Sequence, residues 1–362
     1  MPGVVRARDI IAAVERLAPP SLAEGWDNCG PQVGEGEARV ERVLVALTPL
    51  PEVFDEAREI GADFLLLHHP LIFSPLKSVD PRSYPGDLIA RAIKEELTVY
   101  AAHTSYDAAP EGVSVALARA LDLRGPLESV SPRGSLRKLV VFVPLDDAER
   151  VAEALAGAGA GRIGDYTRCS FRSPGTGTFL PGEGSDPYLG ERGRLERVEE
   201  LRLETVVPAH LARAAVEAAT AAHPYEEVAL DVYPVEGAPE GCGYGRIGSL
   251  PQPMVPDGLS AHVSRSLGFP ARLVAEGGRA EIRRVAVLGG SGGSFLREVA
   301  ASGAEAYVTG DLDYHDAMLA GSLGLAAIDA GHAATELPSL EPLARRLGEL
   351  VDVPVGVSRV RR

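Results

Sequence analysis

The chain has 362 residues, 45% of them hydrophobic and 24% charged, which is ordinary for a folded protein and long enough for two domains. Its formal net charge of −15 at pH 7 argues against non-specific binding to nucleic acid, which needs a basic surface. The three cysteines suggest no disulfide framework, and residues 1–20 lack the apolar core of a signal peptide, so we expect a cytoplasmic protein. No apolar run approaches the ~18 residues that span a bilayer, so we expect no membrane partner.

Helical patterns and short apolar runs alternate along the first third of the chain. Apolar residues at helical spacing between Ile10 and Leu17 predict a helix that ends before Pro19 and Pro20. The next predicted strands span 43–47, 64–67 and 98–102, and the predicted helices span 53–60, 88–96 and 113–121. This alternation predicts a mostly parallel sheet with helices on its faces.

The pattern changes between Ser131 and Gly134, where two weakly similar halves begin. The predicted strands there span 139–143, 204–207 and 227–233, the predicted helices span 148–156 and 211–222, and a glycine-rich, weakly apolar stretch spans 157–193. Two β-α-β halves of this size predict a ferredoxin-like α+β domain inserted over residues 135–244. The glycines and proline of 237–245 predict a linker that leaves it.

After Gly245 the alternation of strands and helices resumes. Strands are predicted over 285–288, 306–309 and 325–329, and a final helix carries Leu337, Leu340, Leu343 and Leu347. The simplest architecture is a discontinuous three-layer α/β core, formed by residues 1–134 and 245–362, that is interrupted by the inserted domain.

Two adjacent histidines, His68 and His69, follow the apolar run 64–67 and precede Pro70. An uninterrupted apolar run is typical of a buried strand in a parallel sheet, and the proline favours an extended conformation at His69. Open α/β sheets bind ligands at the carboxyl ends of their strands. Two neutral imidazoles at such an edge are most simply explained as metal ligands.

Other potential metal ligands also follow predicted strands. Five of the eight histidines lie at or just beyond strand ends: His68, His69, His103, His315 and His332. The acidic residues that accompany them are Asp107, Asp311, Asp313 and Glu336. The four-residue spacing of His332 and Glu336 places both on one face of a helix, although such a pair by itself is more typical of an exposed helix surface.

The combination of three strand ends with compatible donors predicts a metal site. Imidazole and carboxylate together suit zinc, iron, manganese or nickel. A carboxylate can also bridge two ions ~3.5–4 Å apart, as it does in two-metal hydrolytic sites.

Two further motifs leave their interpretation open. The backbone of Gly289–Gly293, including Gly290, Ser291 and Gly292, would suit the binding of an anionic substrate group, although a tight strand-to-helix turn explains the glycines more simply. Trp26–Asn28 would form either a pocket wall or a capped turn around a buried ring. Cys29 has no histidine near it in the sequence, so we expect it to be inert.

These motifs, in this order, resemble the Nif-three-like family, also called GTP cyclohydrolase I type 2-like. The matching stretches are Trp26–Gly34, His68–Pro70, His103–Asp107, Gly289–Gly292, Thr309–Asp311 and Gly331–Glu336. The inserted domain resembles that of longer family members, which is similar to PII and CutA proteins, and its Gly164–Tyr166 and Cys169–Phe171 fit that pattern.

The resemblance implies two divalent metal ions. Carried over by motif, the ligands would be His68, His69, Asp107, His332 and Glu336, with Glu336 as the bridge. The resemblance also implies a toroidal homohexamer whose metal sites face an internal cavity.

The resemblance favours a metal-dependent hydrolase that acts on GTP or a related nucleotide. In that hypothesis, His103 or His315 would transfer protons as a general acid or base. The alternative is a non-enzymatic metal-binding or regulatory protein whose PII/CutA-like insert senses a ligand.

Overall fold

The structure is a computed structural model that describes residues 4–361. The chain divides into two compact units, of which one joins Met1–Arg133 with Gly241–Arg362 and the other is Gly134–Glu240. We refer to them as the outer unit and the insert. No helix within residues 4–361 combines the length and the apolar character that crossing a membrane requires.

The strands and helices below are numbered in chain order. The strands are β1 (Gly30–Val33), β2 (Val43–Ala46), β3 (Phe64–Leu67), β4 (Thr98–Ala101), β5 (Arg124–Pro132), β6 (Leu136–Pro144), β7 (Phe171–Phe179), β8 (Glu196–Pro208), β9 (Leu230–Val235), β10 (Gly243–Met254), β11 (Arg272–Glu276), β12 (Ile282–Ser291), β13 (Ala306–Gly310), β14 (Ala326–Asp329) and β15 (Val355–Val357). The helices are α1 (Ala7–Leu17), α2 (Pro51–Ile60), α3 (Gly86–Lys94), α4 (Thr104–Asp107), α5 (Val113–Ala120), α6 (Ala148–Gly157), α7 (Ala212–Ala222), α8 (Pro256–Leu267), α9 (Leu296–Ala301), α10 (Tyr314–Ser322), α11 (His332–Glu336) and α12 (Leu340–Gly348).

The first sheet of the outer unit has the strand order β1-β4-β3-β2-β15. Strands β15, β2, β3 and β4 are parallel, and β1 pairs antiparallel with β4. Along β3, Phe64 and Leu66 pack into a core with residues of α1 and α12, whereas Leu65 and Leu67 pack with residues of α2 and α3. Because successive side chains of a strand point to opposite faces, an unbroken apolar strand is what a sheet covered by helices on both faces requires.

The second sheet of the outer unit has the order β11-β14-β13-β12-β10-β5. Its centre, β12 to β14, is parallel, while β11, β10 and β5 join antiparallel. The outer unit is therefore α/β, as predicted, but it has two mixed sheets. The alternation of strands and helices along a chain does not reveal whether strands join one sheet or two.

The predicted elements of the outer unit coincide with observed ones, with small shifts at their ends. Gly61 follows α2 in the left-handed conformation, with φ of 66°, and forms the C-cap of this helix. The prediction omitted the edge strands β1, β5, β11 and β15 and the helices α4, α8, α9 and α10. It treated the start of β10 as linker and did not predict the rest of that strand.

The insert has the chain order β6-α6-β7-β8-α7-β9 and the antiparallel sheet order β7-β8-β6-β9. This is the ferredoxin-like arrangement. Apolar residues of α6 and α7, such as Val151 and Ala215, pack with Leu139, Val141 and Leu203 on one face of the sheet. The insert ends at Glu240, before the predicted residue 244, because β10 begins at Gly243 and pairs with β5 and β12 of the outer unit.

The glycine-rich stretch 157–193, predicted without a strand, contains β7 over Phe171–Phe179. Most of its residues are exposed or half-buried, so this strand lacks the apolar alternation on which a sequence-based prediction depends. It is held by nine paired positions along β8.

Candidate metal centre

A cluster of imidazole and carboxylate groups lies in the outer unit at the carboxyl ends of its parallel strands. His68 and His69 follow β3 directly, and His103 lies just beyond the end of β4. Asp107 is the last residue of α4. His332 and Glu336 begin and end the short helix α11, which follows β14. The carboxyl ends of the parallel strands thus bring together residues that are up to 268 positions apart in sequence.

Three of these imidazoles have the Nδ1 atom bound to an oxygen that can only accept a hydrogen bond. The acceptors are the Ala102 carbonyl for His68, at 3.1 Å, an Asp27 carboxylate oxygen for His103, at 2.9 Å, and an Asp311 carboxylate oxygen for His332, at 2.7 Å. Nδ1 must therefore carry a proton. In the neutral ring, Nε2 is then the atom with a free lone pair.

His69 is oriented by a hydroxyl, since its Nδ1 lies 3.1 Å from Thr48 Oγ1. Contacts from outside a metal site to the second ring nitrogen are the usual means by which proteins orient histidine ligands.

The Nε2 atoms converge on Glu336. Its Oε1 lies 3.1 Å from His332 Nε2 and 3.4 Å from His68 Nε2, and its Oε2 lies 3.1 Å from His69 Nε2. His69 Nε2 and His332 Nε2 are only 3.3 Å apart. Asp107 Oδ1 lies 3.7 Å from His68 Nε2.

Three buried polar atoms of the cluster have polar neighbours at 3.1–3.7 Å but make no hydrogen bond of acceptable geometry among residues 4–361: His68 Nε2, Asp107 Oδ1 and Glu336 Oε2. Buried polar atoms without a partner are costly and rare in folded proteins. Two sets of ligand atoms are each compact enough to hold a cation, namely His68, His69 and His103, and His69, His332 and Glu336. The donors therefore fit a divalent metal ion, which would satisfy the atoms that the protein leaves unpartnered.

The glycines of the predicted substrate-binding motif pack against this cluster. Gly290 has φ of +73°, and a Cβ there would lie 2.6 Å from Glu336 Oε1. Its N–H donates to Thr335 Oγ1, at 2.9 Å, and the N–H of Gly292 lies 3.4 Å from the Gly310 carbonyl. Gly290 thus leaves room for the Glu336 carboxylate. Ser291 is exposed between the two glycines.

The charges within the cluster depend on one another. Burial alone would lower the pKa of His68, but the Asp107 and Glu336 carboxylates outweigh it and raise the pKa to about 9. The hydrogen bond to Glu336, against some loss of solvation, raises the pKa of His332 to about 9. Burial lowers the pKa of His69 and raises that of Asp107 to about 6. Burial alone would also raise the pKa of Glu336, but the neighbouring imidazoles hold it well below its ordinary value.

These pKa values predict that metal uptake releases protons. Because His68 and His332 have pKa values of about 9 without metal, both are protonated at pH 7 and must become neutral to bind a cation. We expect about one proton to leave per histidine, and metal affinity to rise about tenfold per pH unit from pH 7 until it levels off near pH 9. Calorimetric titration of metal-free protein in buffers of different protonation enthalpy measures the number of protons.

The His315→Ala variant is the control for this titration and should release as many protons as the wild-type chain. A metal affinity that stays constant between pH 7 and pH 9 would contradict the assignment of His68 and His332.

His315 lies apart from the other predicted site residues. It is exposed on α10, its ring packs against Tyr314, and within residues 4–361 the structure records no contact between His315 and the cluster. His103 by contrast belongs to it, with ring centroids 5.2 Å from His68 and 5.6 Å from His69.

The sequence-based prediction did not assign a role to Asp27, whose side chain is fully buried beside His103. Burial alone would raise its pKa, but hydrogen bonds from His103, Cys29 and Thr104 hold the pKa well below its ordinary value. Cys29, expected to be inert, thus helps to fix Asp27. Trp26 is 63% exposed, so the alternative of a buried ring in a capped turn is wrong. The partners of Asp27 are 2 to 77 positions away in sequence. The available signal was that Asp27 lies within the first matching stretch, Trp26–Gly34.

The chain is similar to known proteins along nearly its whole length. Residues 5–362 match the family described as Duf34/NIF3 (NGG1p interacting factor 3). A Halalkalibacterium halodurans protein named GTP cyclohydrolase 1 type 2 homolog is 42% identical over 334 residues, which cover 91% of this chain and 89% of that protein. A Bacillus subtilis protein of the same name is 40% identical over 345 residues, covering 95% and 92%.

A solved structure of a Bacillus cereus protein related to NIF3 superposes with a TM-score of 0.88 at 42% identity, covering 99% of this chain and 98% of that one. The match extends over the outer unit and the insert alike. This chain therefore belongs to the Duf34/NIF3 family.

Proposed function

We propose that this protein binds two divalent metal ions and uses them to hydrolyse a nucleotide or a related substrate. The observation that carries the proposal is the convergence of the unpartnered buried atoms His68 Nε2, Asp107 Oδ1 and Glu336 Oε2. The ligands would be His68, His69, Asp107, His332 and Glu336. The donor set suits zinc, iron, manganese or nickel.

Glu336 is proposed as the bridging ligand because its two carboxylate oxygens contact different histidines. When bound, two such metal ions would lower the pKa of a water molecule and supply Lewis-acid chemistry at neutral pH.

His103 is proposed as the group that moves protons. Its Nδ1 proton is held by the Asp27 carboxylate, so Nε2 can accept a proton from water or return one to a leaving group. The buried aspartate would stabilise the positive imidazolium that forms. We assign this role to His103 rather than to His315, since only His103 contacts the cluster.

A planar substrate would find an aromatic surface next to His103. Trp26 and Phe73 are 63% and 54% exposed, their ring centroids are 6.1 Å apart, and each ring lies within 6.5 Å of the His103 ring. Exposed rings of this kind bind nucleobases by stacking. The relatives' name, GTP cyclohydrolase 1 type 2 homolog, makes GTP the first substrate to test. Of the predicted substrate-binding motif, the exposed Ser291 is proposed to contact it, because the N–H groups of Gly290 and Gly292 are buried and face acceptors of the protein.

The His103→Gln variant tests this function. We expect it to keep its metal and to lose about a hundredfold in turnover, because a general acid or base contributes 10²–10⁴-fold. The matched His315→Gln variant should be as active as the wild-type chain. Product formation from GTP, other nucleotides and phosphoesters is followed by chromatography, with metal content measured in parallel.

A fully metal-loaded protein that converts none of these substrates would contradict the hydrolase. That result would favour the second candidate function, a non-enzymatic metal-binding or regulatory protein. The specific observation in favour of this alternative is a separate cavity inside the insert.

We further propose a toroidal homohexamer, as the resemblance implied, and a cytoplasmic location. The segment between β3 and α3 exposes Leu76, Val79 and Tyr84, an apolar set that a subunit interface would cover. The three cysteines are unpaired, which suits a reducing compartment. Light scattering should give six times the 38.0-kDa chain mass.

A further inference from the structure

The insert contains a cavity of about 560 Å³, which is within the size range of small-molecule sites. Phe142 of β6 and Glu200 and Arg202 of β8 line it. These residues alternate with Val141 and Leu203, which pack with the helices, so the cavity lies on the sheet face opposite α6 and α7. None of the residues assigned to the metal centre lines it.

A cluster of aromatic rings forms much of the cavity wall. Its members are Phe142, Phe179, Tyr188 and Tyr225. The Tyr225 ring is central, with centroid distances of 6.0 Å to Phe179 and 6.2 Å to Tyr188 and tilted ring planes. Aromatic faces carry partial negative charge, so rings arranged around a cavity attract a cation.

A buried carboxylate lies among the rings. Glu200 is only 7% exposed, and its Oε1 accepts a hydrogen bond from the Tyr225 hydroxyl at 2.9 Å. Its Oε2 occupies the space that a side chain on Gly177 would take, so the glycine is needed for this carboxylate position. Within residues 4–361, the structure records no ion pair to Glu200. A buried carboxylate without a cationic partner is an unusual and costly arrangement.

The remaining charges around the cavity are also mainly negative. Glu226 and Glu227 line it, and the single basic residue among the described lining residues, Arg202, is paired with Glu204 at 3.2 Å. The cavity therefore has an excess of negative charge that a bound cation would balance.

The outer wall of the cavity is built by the loop between β7 and β8 and is held by hydrogen bonds. The Gly193 N–H donates to the Pro181 carbonyl at 2.9 Å, which closes the neck of the loop. The Asp186 N–H donates to Glu226 Oε1 at 2.7 Å, which ties the loop to the segment after α7. Tyr188 is carried on this wall.

We infer that the insert binds a small organic cation with an alkylated ammonium group, held by the rings of Phe179, Tyr188 and Tyr225 and by the Glu200 carboxylate. Aromatic rings around a pocket are a recognised arrangement for quaternary ammonium groups, and the Glu200 carboxylate adds an opposite charge beside them. The insert is then a ligand-binding domain in its own right, whether or not the metal centre is catalytic.

The test uses the full-length chain with choline as the probe and 3,3-dimethyl-1-butanol as its neutral isostere. Calorimetry or ligand-observed NMR should show choline binding with a Kd of about 1 mM or below, and at least about tenfold weaker binding of the isostere. Glu200→Gln keeps an acceptor for the Tyr225 hydroxyl but removes the charge, so it should weaken choline binding about tenfold. Glu217→Gln, on the exposed surface of α7, is the matched control and should bind like wild type.

Tyr188→Leu provides a second test, because the ring is 56% exposed and its replacement leaves the folded core untouched. It should weaken choline binding about fivefold. The inference is overturned if choline does not bind up to about 50 mM, if choline and its isostere bind equally, or if Glu200→Gln binds choline as well as Glu217→Gln does.

Discussion

Replacing Glu336 by glutamine is expected to remove both ions of the proposed metal centre from the purified protein. The glutamine has nearly the same shape but no charge, so three imidazole Nε2 atoms within 3.4 Å lose the anion that holds them together. Metal content should fall from about two ions per chain to below about 0.2. Inductively coupled plasma mass spectrometry of the native and variant proteins measures it.

The His68→Ala variant tests whether the two proposed ions have separate ligands apart from the bridging Glu336 carboxylate. His68 Nε2 lies 3.7 Å from Asp107 Oδ1, whereas the compact set of His69, His332 and Glu336 does not include His68. Its loss should therefore remove about one ion and leave about one. The His315→Ala control should keep both. If Glu336→Gln and His68→Ala both retain the full metal content, the ligand assignment is wrong.

Replacing Arg246 by methionine is expected to cause the largest loss of stability in the outer unit. Arg246 is 1% exposed, and its guanidinium donates to the carbonyls of Gly243 and Gly245 at 2.7 Å, to Ala109 at 3.1 Å and to Gly241. Burial lowers its pKa to about 10, so the side chain remains charged at pH 7.

Methionine fills much of the same volume but leaves those carbonyls without a donor. We expect the free energy of unfolding to fall by about 3–5 kcal/mol. Denaturant titration followed by circular dichroism measures the change. The exposed Arg265 on α8 gives the matched control, since Arg265→Met should change stability by less than about 0.5 kcal/mol. Equal midpoints for the two variants would show that the Arg246 hydrogen bonds contribute nothing.

The strands at the centre of both outer-unit sheets could be predicted because their apolar runs are continuous. Both faces of β3 are covered by helices, so each of its residues is buried and the signal does not alternate. The edge strands could not be predicted in this way. β7 and β11 contain no fully buried position, and β11 pairs with β14, which lies 50 to 57 positions further along the chain.

The candidate metal ligands could also be recognised from the sequence, because open α/β sheets generally bind ligands at the carboxyl ends of their parallel strands. His103 and His315 both follow predicted strands, so their positions in the sequence did not show which of them belongs to the site. They differ only in three dimensions, where His103 contacts His68 and Asp27 and His315 contacts Tyr314.

Local pattern, then, was enough to determine the α/β class, the existence of an insert and the residue types able to bind metal. These properties follow from hydrophobic periodicity and from the chemistry of individual side chains, both of which can be read over a few residues. The tertiary structure alone decided that there are two sheets, that Asp27 orients His103, and that Glu200 lies among aromatic rings. Each of these depends on contacts between residues that are distant in the chain, and such contacts are a property of packing rather than of local sequence.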